Sequence, residues 1–135
     1  MLVREGRHAY LLAPENLQRG LDADLVDTKP DEIIRRFGEV VRLLTDTGSL
    51  VISTTNALQL PTKHIVQTLQ TLVNPIPVIT IHMVKELIGP QPDTDLIFAG
   101  PENFDDCTRQ TIDLLKSRGL LADPPSGRSD FQYSI

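Results

Sequence analysis

The sequence predicts an α/β domain with a parallel sheet of about four strands and helices packed on both faces. Stretches with apolar residues at helical three-and-four spacing alternate along the chain with short β-branched runs. Those runs are apolar almost throughout rather than on every second residue, as suits strands covered on both sides. With 135 residues, 40% of them hydrophobic, the chain can bury one core, and two Tyr, four Phe and no Trp leave Leu, Ile and Val to fill it.

Residues 7–12 read as a short strand that Pro14 stops, because proline has no N–H to give to a ladder. Residues 16–25 read as a short helical or irregular loop. Residues 31–45 form an amphipathic helix: Ile33, Ile34, Phe37, Val40, Val41 and Leu44 share one side, Asp31 and Glu32 suit the positive end of the helix dipole, and Gly48 lies beyond the end. A buried strand over 50–54 follows, then a second helix over 61–73 carrying Ile65, Val66, Leu69, Leu72 and Val73. Residues 77–81 and 95–98 are expected as further buried strands, joined by a Pro-rich connection at 89–93. The closing helix runs over 103–118 with Asn103 as its cap. The domain is expected to end near residue 121, and residues 122–135, which include Asp-Pro-Pro-Ser-Gly, read as a flexible tail.

The formal charge of −5 and the pI near 5.0 argue against a nucleic-acid surface or an anionic membrane as partner, since both need clustered Lys and Arg. There is no apolar run long enough to span a membrane and no secretory leader pattern, so a cytoplasmic location is expected. Cys107, the one cysteine, sits at helical spacing from Phe104, Thr111 and Leu114 and reads as core rather than as a reactive thiol. His8, His64 and His82 show no metal-ligand spacing. Asp22, Asp24, Asp27, Asp31 and Glu32 cluster around a loop without the rhythm of a calcium site. Thr54, Thr55 and Asn56 follow a strand end, where α/β proteins place ligands, although a plain strand-to-loop transition explains them equally well.

The tract from Tyr10 to Leu25 resembles the Tyr-x-Leu-Asp-Gly-Asp-Asn-x-Arg-x-Gly-Leu-x-x-Asp-Leu segment of adenylylsulfate kinases, which phosphorylate the 3′-hydroxyl of adenosine 5′-phosphosulfate with ATP. Tyr10, Leu12, Asn16, Gly20, Leu21, Asp24 and Leu25 keep the frame. Residues 31–41 are similar to the family's Asn-Ile-Arg-Arg-x-x-Glu-Val helix, with Ile33 in place of the asparagine. Residues 45–52, 95–98 and 107–121 resemble further family segments in the same order. The resemblance implies a P-loop-kinase-like core, and the family's P-loop strand would precede residue 1. No G-x-x-x-x-G-K-[ST] occurs in the sequence, and only a short connection stands where the family's basic lid would lie.

The departures fall on the chemistry. Ala13, Pro14, Glu15 and Gln18 stand where the family has aspartate, glycine, aspartate and arginine, and Ala57 falls near its serine. The resemblance therefore implies a degenerate phosphotransferase domain that is inactive as given and has no catalytic residues or metal site. Asn16, Arg19, Arg35 and Arg36 are the candidate substrate-binding residues, because guanidinium groups grip phosphate and sulfate bidentately. Arg35 and Arg36 read equally as the solvated face of their helix, and Asn16 as a helix cap. ATP and magnesium are expected only if a P-loop lies upstream, in which case the chain is the carboxy-terminal part of an active kinase. The expected partners are an adenosine phosphosulfate-type ligand, an attached or associated sulfurylase or GTPase domain, and further copies of the chain.

Overall fold

The computed structural model describes residues 8–25, 27–54, 60–90, 92–100 and 103–122, which divide into two compact units that meet in sequence between Ile79 and Thr80. Of the tail expected at 122–135, residues 123–135 lie outside the described residues.

In the first unit, β1 (Ala9–Leu11) pairs in parallel with β2 (Leu50–Ile52), placing Ala9 opposite Leu50 and Leu11 opposite Ile52. The ladder is extended at both ends, where the Leu50 N–H donates to the His8 carbonyl at 2.8 Å and the Leu12 N–H to the Ile52 carbonyl at 2.9 Å. Between the strands come α1 (Pro14–Arg19) and α2 (Pro30–Asp46), and after them α3 (Thr62–Val73). Pro14 and Pro30 both occupy first-turn positions, where a missing N–H costs nothing. Helix α2 packs on α3 and against β2. Its buried stripe is Ile34, Phe37 and Gly38, and Ile34 and Ile65 form the core with Ile33, Leu60 and Leu69 around them. Gly38 is buried because α3 leaves it no room: a Cβ there would collide with the Leu72 side chain.

In the second unit, β3 (Ile81–Val84) pairs in parallel with β4 (Leu96–Ala99), with Ile81 opposite Leu96 and Val84 opposite Ala99. Helix α4 (Phe104–Ser117) follows, and Ile112, Leu115 and Leu121 are buried. As the sequence predicts, Asn103 caps α4, its side-chain oxygen accepting the Asp106 N–H at 3.2 Å.

The α/β class and the parallel strands hold, and the strands pair two by two as β1-β2 and β3-β4. The strand expected at 77–81 begins only at Ile81. Pro77 has no N–H to give, and the Thr80 N–H is taken by the Asp95 carboxylate at 2.7 Å, so regular pairing starts one residue later. The strands are also less covered than their composition suggests. Ile52 and Met83 are exposed and Leu50, Val51 and Ile97 half-buried, and among the described residues each strand has one hydrogen-bonded neighbour.

Candidate functional site

The segment linking β1 to α2 carries the candidate residues. Leu12 anchors it in the core, and the chain then turns into α1 through Ala13, the residue before the helix. Ala13 offers no side-chain cap, and Pro14 beside it is fully buried. Asn16 is therefore not the helix cap that its residue type suggests. It lies inside α1, its N–H bonded to the Ala13 carbonyl at 2.9 Å and its side chain exposed. Glu15 turns inward instead, with Oε2 buried and without a hydrogen-bond partner. Arg19 stands exposed in the last turn of α1 and makes no ion pair among the described residues.

On α2 the arginine pair is already engaged. Arg35 grips Glu32 with two bonds of 2.8 Å, from Nε to Oε2 and from Nη2 to Oε1. Arg36 donates from Nε to Glu32 Oε1 at 2.8 Å and from Nη1 to Asp22 Oδ1 at 3.2 Å. The spacing explains the first three bonds, since residues three and four apart on a helix lie on one face. Held by both guanidinium groups, Glu32 has its pKa lowered to about 2, and the carboxylate in turn raises the pKa of each arginine. Neither arginine is a free anion clamp in this arrangement. No described hydrogen bond or ion pair links Arg35 or Arg36 to Asn16 or Arg19, so the four residues do not form one bonded cluster.

Asp22 is the residue that sequence reasoning passed over. It is 8% exposed, held by its N–H to the Leu17 carbonyl at 2.8 Å, and uses Oδ1 for Arg36 while Oδ2 is buried with no partner. Nothing in the local pattern marks it out from the neighbouring exposed aspartates. It lines a cleft of about 360 Å³ with Gln18, Leu25, Asp27, Thr28 and Ile33. A second hollow of about 410 Å³ runs along α3 past Gln67, Gln70, Thr71 and Asn74 and contains no charged group.

In the second unit, Asp95 ties three segments together. Its Oδ2 accepts the Thr80 N–H at 2.7 Å and the Thr80 hydroxyl at 2.9 Å, and Oδ1 pairs with Arg118 at 2.6 Å. Burial pushes the Asp95 pKa up, but the two Thr80 bonds and the Arg118 charge outweigh it and hold the carboxyl below its usual range. Elsewhere, Cys107 is half-buried in α4, and His64 pairs with Asp31 at 2.9 Å on the surface. No group of three His, Cys, Asp or Glu among the described residues is placed to hold a metal ion. Thr55, Asn56 and Ala57 lie outside the described residues. Among the described residues no helix is long and apolar enough to cross a membrane.

The arrangement has relatives. A segment of 54 residues is 44% identical to the adenylyl-sulfate kinase of Aeromonas salmonicida, covering 38% of this chain and 28% of that protein. A similar segment of 53 residues is 45% identical to the bifunctional enzyme NodQ of a Rhizobium species, covering 38% of this chain and 8% of that enzyme. The matched part is thus less than a third of these curated relatives. Among solved structures, a cysteine-to-alanine variant of the Mycobacterium tuberculosis APS kinase CysC superposes with a TM-score of 0.66 at 28% identity, covering 85% of this chain and 80% of that one. The hexameric APS kinase from Thiobacillus denitrificans, at 19% identity and a TM-score of 0.65, shares the fold over 87% of this chain and 24% of its own. The adenylylsulphate kinase family profile matches residues 1–88, more than half of the sequence. A P-loop-kinase fold and a profile match that takes in the whole β1–α2 segment lead to one conclusion: the chain belongs to the adenylylsulphate kinase family.

Proposed function

We propose that this chain is an adenylylsulfate-kinase-like domain of sulfate activation that does not itself transfer phosphate and serves, in the cytoplasm, as a packing or regulatory module beside a sulfurylase or GTPase domain. The observation that carries this reading is the β1–α1 junction. Ala13 stands at the pre-helix position where the family places its first aspartate, and it brings no carboxylate to the site. Phosphoryl transfer rests on positioning and on neutralising charge with a phosphate loop, a lysine and magnesium, and the sequence encodes no such loop. Glu15, one methylene longer than the family's second aspartate, is turned into the protein rather than outward.

Retained binding of adenosine phosphosulfate through Asn16, Arg19, Arg35 and Arg36 is the weaker form of the proposal. A ligand dianion would have to displace Glu32 from both arginines, and one of them also from Asp22. A related structure contains the Mycobacterium tuberculosis APS kinase CysC in complex with AMPPNP and APS, which supports looking for such a ligand. The bifunctional NodQ relatives support attachment to a second activity, and the hexameric relative supports association between copies.

In a coupled assay with ATP, magnesium and adenosine phosphosulfate, the chain is expected to stay at background, and turnover above background would refute the proposal. A second reading, that the chain is the carboxy-terminal part of an ATP-dependent adenylylsulfate kinase, draws support from the greater length of its curated relatives. An in-frame Gly-x-x-x-x-Gly-Lys-Ser in the coding sequence upstream of Met1, together with turnover by the longer product, would establish that reading instead.

A further inference from the structure

We propose that β3 pairs edge to edge with β3 of a second copy of this chain, antiparallel and about a two-fold axis at His82, so that two β3-β4 ribbons join into one four-stranded sheet. This names a surface for the association between copies put forward above, and in that respect rests on it. The direction of the main-chain groups carries the proposal. The Thr80 carbonyl accepts the Leu96 N–H at 3.1 Å and the Val84 carbonyl accepts the Gly100 N–H at 3.2 Å, so residues 80, 82 and 84 turn their main-chain groups toward β4. Those of Ile81 and Met83 turn the other way, to an edge where no described strand lies. A free edge of this kind is a template for another strand, and natural edges are usually guarded by a charge or a proline. Strand β3 reads Ile-His-Met-Val and has neither a Lys, Asp or Glu nor a Pro.

The occupant and its register follow from the same residues. An antiparallel partner makes its closely spaced bonds between residues that both face the shared edge. With the axis at His82, Ile81 meets Met83 of the second copy and Met83 meets its Ile81, which uses the free N–H and C=O of both residues in both copies. Moving the axis to Ile81 or to Met83 would instead oppose one of them to Ile79 or Lys85, outside the strand. The side chains agree with the first register. Ile81 and Met83 are 41% and 53% exposed and share one face of the strand, so each apolar side chain covers the other across the junction. One patch serves both copies, as a two-fold contact requires. A ribbon of two strands is marginal in water, and a third and fourth strand with an apolar face stabilise it.

The test follows amide hydrogen exchange in the ¹⁵N-labelled full chain at low and high concentration. For a weak dimer with Kd of about 0.1–1 mM, the Ile81 and Met83 amides should exchange about two- to fivefold more slowly at about 1 mM than at about 0.02 mM. The His82 and Val84 amides, bonded to β4, should not change, and they report that the fold is intact. Ile81→Lys, at an exposed position, should return exchange at high concentration to the dilute value. The register has its own check. In the pair across the axis the two His82 Cα atoms lie about 4.5 Å apart, within disulfide reach. His82→Cys in a Cys107→Ser background should therefore give a covalent dimer under mild oxidation. Ile81→Cys in that background should not, since its Cα atoms would be about 8 Å apart. Exchange at Ile81 and Met83 that is the same at both concentrations, or cross-linking of Ile81→Cys as readily as His82→Cys, would each overturn the proposal. Sedimentation showing a dimer that survives Ile81→Lys would keep association between copies and discard this edge. Kinase turnover would refute the non-catalytic role and leave this edge untouched.

Discussion

The two units use the same chemistry, a carboxylate against arginine, to different ends. On α2 the partners Glu32, Arg35 and Arg36 lie within four residues of one another and are a third to a half exposed, so their pairing adds little that the helix does not already have. In the second unit Asp95 is 19% exposed and joins the residue before β3, the residue before β4 and the end of α4, with its bonds to Thr80 spanning 15 residues. A bond between segments distant in sequence holds tertiary structure, while one within a helix turn mostly sets local charge. The comparison shows why the conspicuous arginine pair and the inconspicuous Asp95 exchange their apparent importance.

Four substitutions test that contrast. Ile34→Ala, one position from Arg35 on the same helix turn but fully buried, should cost about 2–5 kcal/mol of unfolding free energy by denaturant titration. Asp95→Ala should cost about 2–3 kcal/mol, because it removes two hydrogen bonds and leaves Arg118 unpaired. Asn103→Ala, which removes the α4 cap, should cost about 1 kcal/mol. Glu32→Ala should shift the denaturant midpoint less than Asn103→Ala does, because solvent screens its exposed ion pairs; a loss as large as that of Asp95→Ala would break the distinction between the two units.

Acid titration sharpens the same comparison. Both carboxyls have folded pKa values below their ordinary ones, so each contributes stability above the unfolded value that is lost as the pH falls through the folded value. For Glu32 the window runs from 4.5 down to about 2, and for Asp95 it begins at 3.8 and extends below. Side-chain carboxyl shifts followed by NMR should place the Glu32 midpoint near 2. A midpoint close to 4.5 would mean that the Arg35 and Arg36 contacts do not persist in solution.

Much of this was legible in the residues. The apolar stripes of α2, α3 and α4, the Asn103 cap and the family frame from Tyr10 to Leu25 all depend on spacings of a few residues, and Glu32 facing Arg35 and Arg36 follows from the same helical period. The sequence by itself therefore determined the fold class, the order of the elements and the family to which the chain belongs. Tertiary structure alone decided that Asp22 is the aspartate drawn beneath the cleft, that Arg36 turns toward it across 14 residues of chain, and that Asp95 takes the Thr80 N–H and delays β3 to Ile81. It also put Asn16 inside α1 rather than at its cap. The physical reason is the range of the interactions: periodicity and capping act within one or two helix turns. Which polar group is buried, and against which distant partner, depends on how separate segments pack.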